Sequence, residues 1–304
     1  MQHETYDLFS YGKLLLTGEF LILKGAKGLS LPVKFGQHMK IIPTKTEQLE
    51  WIGLERDGKE WLHVTMKKDL SEILASVPDN AGNEILQILR IVKEMRPELF
   101  KRGYKIITKF DFEKNWGLGT SSSLIANLSK WAQINPFALL DKTFNGSGYD
   151  VITSLAGKPL VFQRTGIGRV WQFTEFNPPF RKKLYFIHLN KKQPTVPIVN
   201  KFKKITPPEK AVQRISEITD AVLHTTDEKE FAALIEEHEQ IIGKILRKKP
   251  VKERLFADFN GSVKSLGAWG GDMILALGDK KTPSYFKNKG YKTVFRFDEL
   301  IRNE

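Results

Sequence analysis

The chain of 304 residues contains no cysteine. This absence excludes disulfide bonds, thiolate metal sites and cysteine nucleophiles, and it is typical of proteins from a reducing compartment. Long apolar runs are also absent, since none approaches the ~18 residues that cross a bilayer. The first residues, Met1–Thr5, lack the basic and then apolar pattern of a signal peptide. We therefore expect a cytoplasmic protein that is not embedded in a membrane.

Acidic residues are missing from the segment 177–208, although the chain as a whole has 35 Asp+Glu against 48 Lys+Arg and a net charge of +13. A stretch of this kind attracts phosphate, either on a polynucleotide or on a small anionic substrate, or it is a solvated surface. No zinc-finger spacing, RNA-recognition motif or basic zipper favours the polynucleotide. The basic residues of the segment are Arg181, Lys182, Lys183, Lys191, Lys192, Lys201, Lys203 and Lys204.

The remaining composition, with 41% hydrophobic and 27% charged residues, is that of a folded protein long enough for two domains. Strand and helix patterns mix along the chain, which predicts an α+β fold with domains 1–180 and 181–304. We predict strands at Leu14–Leu16, Phe20–Leu23, Tyr104–Phe110, Leu184–Leu189, Met273–Leu277 and Tyr291–Phe297. Helices are predicted from Gly82 to Met95 with Asn80 as the cap, through Leu124 and Trp131, and within Glu209–Leu223, Asp227–Leu246 and Val251–Phe259.

The most informative local pattern is Gly117-Leu118-Gly119-Thr120-Ser121-Ser122-Ser123, between a predicted strand and a predicted helix. Glycines permit a tight turn and close approach of a ligand. A helix that begins there presents free N–H groups and the positive end of its dipole, which favours phosphate. The hydroxyl groups add donors and one candidate magnesium ligand. A serine-rich helix start is also explained by simple capping, and the pattern is not a Walker motif because no lysine follows the second glycine.

Three further segments accompany this turn: Tyr11–Phe20, Gly146-Ser147-Gly148-Tyr149-Asp150-Val151, and Lys264–Met273 with its Gly270-Gly271-Asp272 ending. Together, and in this order, the four segments resemble the motifs of the GHMP kinases. The aspartate loop and the Gly-Gly-Asp ending are most similar to those of phosphomevalonate kinase, whereas the aspartate loop of mevalonate kinases usually reads Pro-Ser-Gly-hydrophobic-Asp-Asn. The resemblance spans essentially the whole chain.

The resemblance implies a two-domain fold, in which the N-terminal domain is similar to a ribosomal-protein α/β domain and the C-terminal domain is a ferredoxin-like α+β domain. It implies an enzyme that uses ATP and Mg²⁺ to phosphorylate a small anionic substrate, phosphomevalonate first, with mevalonate or another small molecule as the alternative. The related ATP-dependent decarboxylase usually lacks the Lys13 and Asp150 pair. An inactive relative and a basic nucleic-acid-binding protein are the non-enzymatic alternatives, with nucleic acid the less favoured partner. Either a monomer or a homodimer is compatible with the sequence.

The resemblance also implies roles for individual residues. Asp150 corresponds to the catalytic base, although an aspartate in a loop also caps its own turn, and Lys13 corresponds to the lysine beside it. The nucleotide is expected on Gly117, Leu118, Gly119, Thr120, Ser121 and Ser122, with the Ser121 hydroxyl on the metal. Substrate contacts are expected from Ser147, Gly267, Ala268, Gly270 and Gly271, whereas Glu19 is expected to be structural. Lys192 and Thr195 are added as substrate candidates from their position in the basic segment alone.

Three residues depart from the family pattern. Tyr11 stands where proline usually precedes Gly-Lys. Trp269 stands where the third motif usually has glycine, so its indole could narrow the turn, reshape the acceptor pocket or mark an altered substrate. Before the aspartate loop, Asp141 is the only carboxylate in place of the magnesium-binding glutamate of mevalonate kinases, and we do not assign it as a ligand.

Overall fold

A computed structural model describes residues 4–190, 202, 205–267, 269 and 273–303. The chain forms two compact units that interleave along the sequence. Unit 1 comprises Met1–Gly12, Phe35–Lys114 and Gly119–Ala156, and unit 2 comprises Lys13–Lys34, Asn115–Leu118 and Gly157–Glu304. The predicted α+β class is confirmed, since helices and strands mix in both units. The boundary predicted at 180 and 181, and the domain types, stay predictions.

Unit 1 is a sheet covered by helices. Its strands run in the order β5-β4-β3-β6-β2, and only β3 and β6 pair in parallel. Their bounds are β2 Gly28–Thr44, β3 Gln48–Leu54, β4 Glu60–Lys67, β5 Ile73–Val77 and β6 Gly103–Phe110, and β1, Tyr6–Leu15, pairs with β2. The helices are α1 Asp79–Met95, α2 Thr120–Ala132, α3 Pro136–Thr143 and α4 Tyr149–Ala156.

The core of unit 1 lies between this sheet and its helices. Buried and more exposed residues alternate along β3 and β4, which is the pattern of a sheet with one covered face. From the covered face, Trp51 and Val64 pack with Leu89 of α1, Leu128 of α2 and Val151 of α4. The apolar residues whose spacing predicts a helix up to Met95 therefore form the face that α1 buries.

Unit 2 contains a short β2-β7-β8 ladder and a separate antiparallel sheet in the order β10-β11-β9-β12. The strands are β7 Leu160–Thr165, β8 Gly168–Phe173, β9 Leu184–His188, β10 Ser262–Ser265, β11 Met273–Leu277 and β12 Val294–Arg296. The helices are α5 Glu209–His224, α6 Glu228–Leu246, α7 Val251–Leu255, α8 Thr282–Asn288 and α9 Phe297–Leu300. Unit 2 has 32 Lys+Arg and 18 Asp+Glu, a net charge of +14, whereas unit 1 has 16 and 17, a net charge of −1, so the whole net positive charge of the chain belongs to unit 2.

Some predicted elements differ from the structure. The strand predicted at Phe20–Leu23 is wrong, because Leu21–Lys24 form a 3₁₀ turn that ends at Gly25 with φ 95°. Helix α1 begins after Pro78, so Asn80 lies inside the helix and is not its cap. The strand predicted up to Phe297 ends at Arg296, and the next residue starts α9. Over the described residues, no helix has both the length and the apolar character to span a bilayer.

Candidate active site

The serine-rich turn of the sequence forms the start of α2. Gly119 precedes the helix with φ 93° and ψ 48°, a left-handed conformation that favours glycine. Within the described residues, no side chain caps this start, and its first turn holds no acidic residue. The first helical bond runs from the Ser123 N–H to the Gly119 carbonyl, so the preceding N–H groups have no acceptor within the helix. This end of α2 is thus suited to an anion.

The four hydroxyl groups of the turn divide into two pairs. Ser122 and Ser123 are buried and donate to the Gly119 carbonyl at 3.0 Å each. Thr120 and Ser121 instead line a pocket of unit 1, and Ser121 is exposed. Of the four, therefore, Thr120 and Ser121 are the hydroxyls available to a ligand.

A buried polar network holds α2 in place from beneath. The Asn127 amide donates to the Gln37 carbonyl at 2.9 Å, and the Ser10 hydroxyl donates to Asn127 Oδ1 at 2.7 Å. One turn along the helix, the Lys130 ammonium donates to the Phe9 carbonyl at 2.6 Å, and burial lowers the pKa of Lys130. These bonds join α2 to β1 and β2, so the position of the helix start is fixed by the sheet.

Helix α4, which carries Asp150 in its first turn, packs beside α2. The hydroxyls of Ser154 and Ser122 join the two helices at 3.1 Å. Asp150 precedes Ser154 by four residues, which is about 6 Å along the axis and on the same helix face. Asp150 Oδ1 accepts the Val151 N–H at 3.0 Å, a local bond of the capping kind. Asp150 therefore makes a local bond to the backbone, and its side chain is only half-buried.

The first and second motifs meet through the backbone in unit 2. The Lys13 N–H, near the end of β1, donates to the Leu118 carbonyl at 2.8 Å. Gly117, on the other side of that residue, has φ 72°. The lysine of the first motif therefore lies next to the glycine turn in space, although about a hundred residues separate the two in sequence.

The pocket beside the start of α2 has a volume of about 110 Å³ and is partly open to solvent. Its walls are mainly aromatic and aliphatic, with a few polar groups, which is the composition of a small-molecule site. The lining residues are Gln37, Trp51, Trp61, Leu62, Ala81, Glu84, Ile85, Ile88, Thr108, Phe110, Thr120, Ser121, Leu124 and Phe144. The sequence analysis missed all of them except the two hydroxyl residues. Two tryptophans, one on each side of the Asp57-Gly58 turn, were the available clue.

Trp61 in this pocket is held from two sides. The Lys114 ammonium lies 3.6 Å from the centre of its ring and also pairs with Glu55 at 3.0 Å. On the neighbouring strand, a Cβ at Gly53 would lie 2.9 Å from the indole, so only glycine leaves room for it. The indole is thereby fixed as a wall of the pocket.

The third motif connects β10 to β11, and the Leu266 N–H donates to the Met273 carbonyl at 3.0 Å to close the connection. Gly267 and Trp269 both have left-handed φ values, 66° and 57°. The Trp269 side chain is fully buried and contacts α6, where a Cβ at Gly243 would lie 3.1 Å from the ring. The indole therefore packs against α6 in the interior of unit 2.

The predicted site residues fall into three groups. Ser121 and Asp150 lie on neighbouring helices in unit 1, and Lys13, Leu118 and Gly267 lie in unit 2. Ser147 is buried in the loop before α4. The remaining substrate candidates lie outside the described residues: Ala268, Gly270, Gly271, Lys192 and Thr195.

Comparison with known proteins supports the predicted resemblance through structure. No protein-family model matches the sequence, and no curated protein does. Among solved structures, the mevalonate kinase of Methanococcus jannaschii matches with a TM-score of 0.70 and 17% identity over 100% of both chains. Streptococcus pneumoniae phosphomevalonate kinase, in complex with phosphomevalonate and AMPPNP, matches with a TM-score of 0.69 and 15% identity over 96% of this chain and 99% of that one. Lactococcus lactis galactokinase, complexed with galactose, matches at 0.68 and 11% identity over 99% and 94%. The chain thus has the GHMP kinase fold, and the predicted resemblance is confirmed at that level.

Proposed function

We propose that this chain is an ATP- and magnesium-dependent kinase that phosphorylates a small molecule. The observation that carries the proposal is the start of α2, which presents N–H groups without an acidic neighbour beside an aromatic pocket. The triphosphate of ATP would bind these N–H groups, and its base would enter the pocket. The Streptococcus pneumoniae structure with AMPPNP supports a nucleotide as the ligand of such a fold.

Asp150 and Lys13 are the proposed catalytic residues. Phosphoryl transfer needs the acceptor held in line with the γ-phosphate, positive charge near the transferred group and a group that accepts the acceptor's proton. Asp150 supplies the carboxylate on the helix next to α2, and Lys13 supplies an ammonium on the segment bonded to Leu118. Mg²⁺ would neutralise charge on the β- and γ-phosphates, with the Ser121 hydroxyl as its proposed protein ligand. The described residues contain no cluster of three acidic or histidine ligands, so nucleotide oxygens would complete the coordination.

The proposed acceptor is phosphomevalonate, and mevalonate is the alternative. The positive charge concentrated in unit 2 supports an anionic acceptor. It also favours a second candidate function, nucleic-acid binding, whose affinity would fall steeply with salt and would not respond to ATP.

The deciding experiment measures ADP release from MgATP with phosphomevalonate, mevalonate, homoserine and galactose as acceptors. We expect release with one acceptor, and a loss of about a hundredfold or more in Asp150→Asn. Asp141→Asn, an exposed aspartate on α3, is the matched control and should keep its rate. A wild-type rate in Asp150→Asn would remove this residue from the mechanism. If MgATP neither reacts nor raises the melting temperature of the wild-type protein, the kinase proposal is wrong.

A further inference from the structure

The hairpin formed by β7 and β8 in unit 2 displays apolar side chains that the core does not bury. Seven large apolar side chains are exposed among the described residues, and four of them lie within the short segment 167–173. Ile167 at the tip is 94% exposed, and Val170, Trp171 and Phe173 on β8 are 46%, 38% and 47% exposed. Single apolar residues scattered over a surface need no explanation, whereas a cluster of this kind marks an interaction surface.

Strand β8 packs neither of its faces on the core. It is the last strand in the order β2-β7-β8, and none of its six residues is buried. The register shows the contrast with β7, because Phe162 is fully buried while Trp171, directly opposite it on β8, is exposed. Side chains alternate between the two faces of a strand, so Val170 lies on the opposite face from Trp171 and Phe173. Apolar side chains therefore project from both faces of β8 as well as from the tip.

The tip of the hairpin is open to solvent on both sides of Ile167. Gly166 and Gly168 flank this residue, and a Cβ built on either glycine would meet no atom within 4 Å. Strand residues rise by about 3.3 Å each, so Val170 lies about 10 Å behind the tip and Trp171 about 13 Å behind it. Amphipathic segments enter the boundary between lipid headgroups and acyl chains to a depth of about 5–10 Å, and tryptophan prefers the level of the headgroups. The spacing of these three residues matches that layering.

The charged residues of the hairpin are all basic. Between Asp150 and Glu175 the sequence has no acidic residue, and its charged residues there are Lys158, Arg164 and Arg169. Arg164 and Arg169 stand opposite each other in the register, three and two residues from the tip. At an anionic membrane the aliphatic stem of such a side chain can bury while its charged end stays with the lipid phosphates. The charge of the hairpin is thus complementary to an anionic lipid surface.

We propose that the β7–β8 hairpin attaches this protein to the surface of an anionic membrane, with Ile167 and Val170 at the boundary of the acyl chains and Trp171 among the headgroups. A lipid surface fits the hairpin better than a protein partner does, because lipid surrounds what enters it and would cover the tip and both faces of β8 together. It also fits better than a polynucleotide, since the most exposed residue is aliphatic and has no ring on which a base could stack. The inference does not depend on kinase activity.

The test is cosedimentation of the full chain with vesicles of phosphatidylcholine and phosphatidylglycerol, and with vesicles of phosphatidylcholine alone. We expect binding to the anionic vesicles that weakens as the salt concentration rises, and little binding to the neutral ones. Ile167→Ser should weaken binding about tenfold because the apolar tip is lost, and Arg164→Gln about fivefold because one positive charge is lost. Leu255→Ser on α7 and Lys210→Gln on α5 alter exposed residues of the same unit, so these matched controls should bind as the wild type does.

The comparison of Ile167→Ser with Leu255→Ser decides the result, because positive charge alone can bring a basic protein to anionic vesicles. Equal binding of Ile167→Ser and the wild type would overturn the proposal, and so would a wild type that binds neither kind of vesicle or both equally. Light scattering in the absence of lipid tests the alternative occupant. If the wild type is a dimer and Ile167→Ser is a monomer, a second copy of the chain covers the hairpin and the proposal is wrong.

A second measurement locates the residue that enters the membrane. Of the six tryptophans of the chain, all of them among the described residues, only Trp171 is exposed. Anionic vesicles with brominated acyl chains should therefore quench the fluorescence of the wild type, and Trp171→Phe should lose this quenching. Quenching that persists in Trp171→Phe, or a wild type that binds without being quenched, would refute the insertion of the hairpin.

Discussion

Trp269 offers the sharpest test of how the third motif is built, because its side chain and its backbone make opposite contributions to the stability of the folded protein. The indole is fully buried, and truncation of a buried tryptophan costs about 3–5 kcal/mol. Its φ of 57° is left-handed, a conformation that costs a non-glycine residue about 1–2 kcal/mol. Trp269→Gly loses the first contribution and recovers the second, so we expect a net destabilisation of about 1–4 kcal/mol.

Trp269→Ala is the control that separates the two contributions. Alanine also loses the indole but keeps a Cβ in the left-handed conformation, so it should be less stable than the glycine variant by about 1 kcal/mol. Urea denaturation followed by circular dichroism measures both differences. If Trp269→Gly keeps wild-type stability and raises ADP release, the indole obstructs an active site and is not an anchor in the core. If alanine proves more stable than glycine, the backbone part of the reasoning fails.

Three further outcomes are expected. Gly53→Ala should displace Trp61 from the pocket wall, since the new Cβ would lie 2.9 Å from the indole, and calorimetry should show weaker MgATP binding. Gly166→Ala is the control, because Gly166 has open space around it, and this variant should bind MgATP as the wild type does. Asn127→Ala should lower the unfolding free energy by about 1–3 kcal/mol in urea denaturation, because the buried Ser10 hydroxyl and Gln37 carbonyl lose their hydrogen bonds. A loss of less than about 0.5 kcal/mol would contradict a role of Asn127 in holding α2. For Glu19→Gln, the wild type should lose stability relative to the variant as pH rises from about 5 to about 8 in urea denaturation, because burial raises the pKa of Glu19 to about 7.

Elements with a regular apolar period could be predicted from the sequence, because their burial follows from spacing alone. The helix up to Met95 and the strand from Tyr104 to Phe110 are examples. The segment after Glu19 misled the prediction, because a short apolar run fits a strand as well as a 3₁₀ turn. The 3₁₀ turn depends on the positive φ values of Phe20 and Gly25, which are 62° and 95°. No apolar pattern in the sequence predicts these values.

The candidate site was predictable where glycines and hydroxyls stand next to one another in sequence, and not where the fold brings distant residues together. The start of α2 is of the first kind. The pocket is of the second kind, since Trp51 and Trp61 belong to two strands and Phe144 follows α3. The structural role expected for Glu19 is consistent with its burial. His238, which accepts the N–H of the adjacent Gly18, is more than two hundred residues away in sequence and sits in an ordinary helical pattern.

The motif residues divide by the contacts they make, and this division decides what the motif matches mean for function. Gly18 needs its φ of 90° and has no space for a Cβ, since one would lie 2.7 Å from the Lys27 carbonyl. Glu19 and Trp269 are buried within unit 2. The motif match at Glu19 and the departure from the motif at Trp269 therefore concern the stability of the fold. The tryptophan at 269, where the motif usually has glycine, is therefore no argument for an inactive protein. Packing of the buried indole compensates the energetic cost of the left-handed backbone at this residue. The proposed catalysis would depend instead on exposed or half-buried groups such as Ser121 and Asp150. Their substitution should change turnover far more than stability, which is the reverse of the result expected at Trp269.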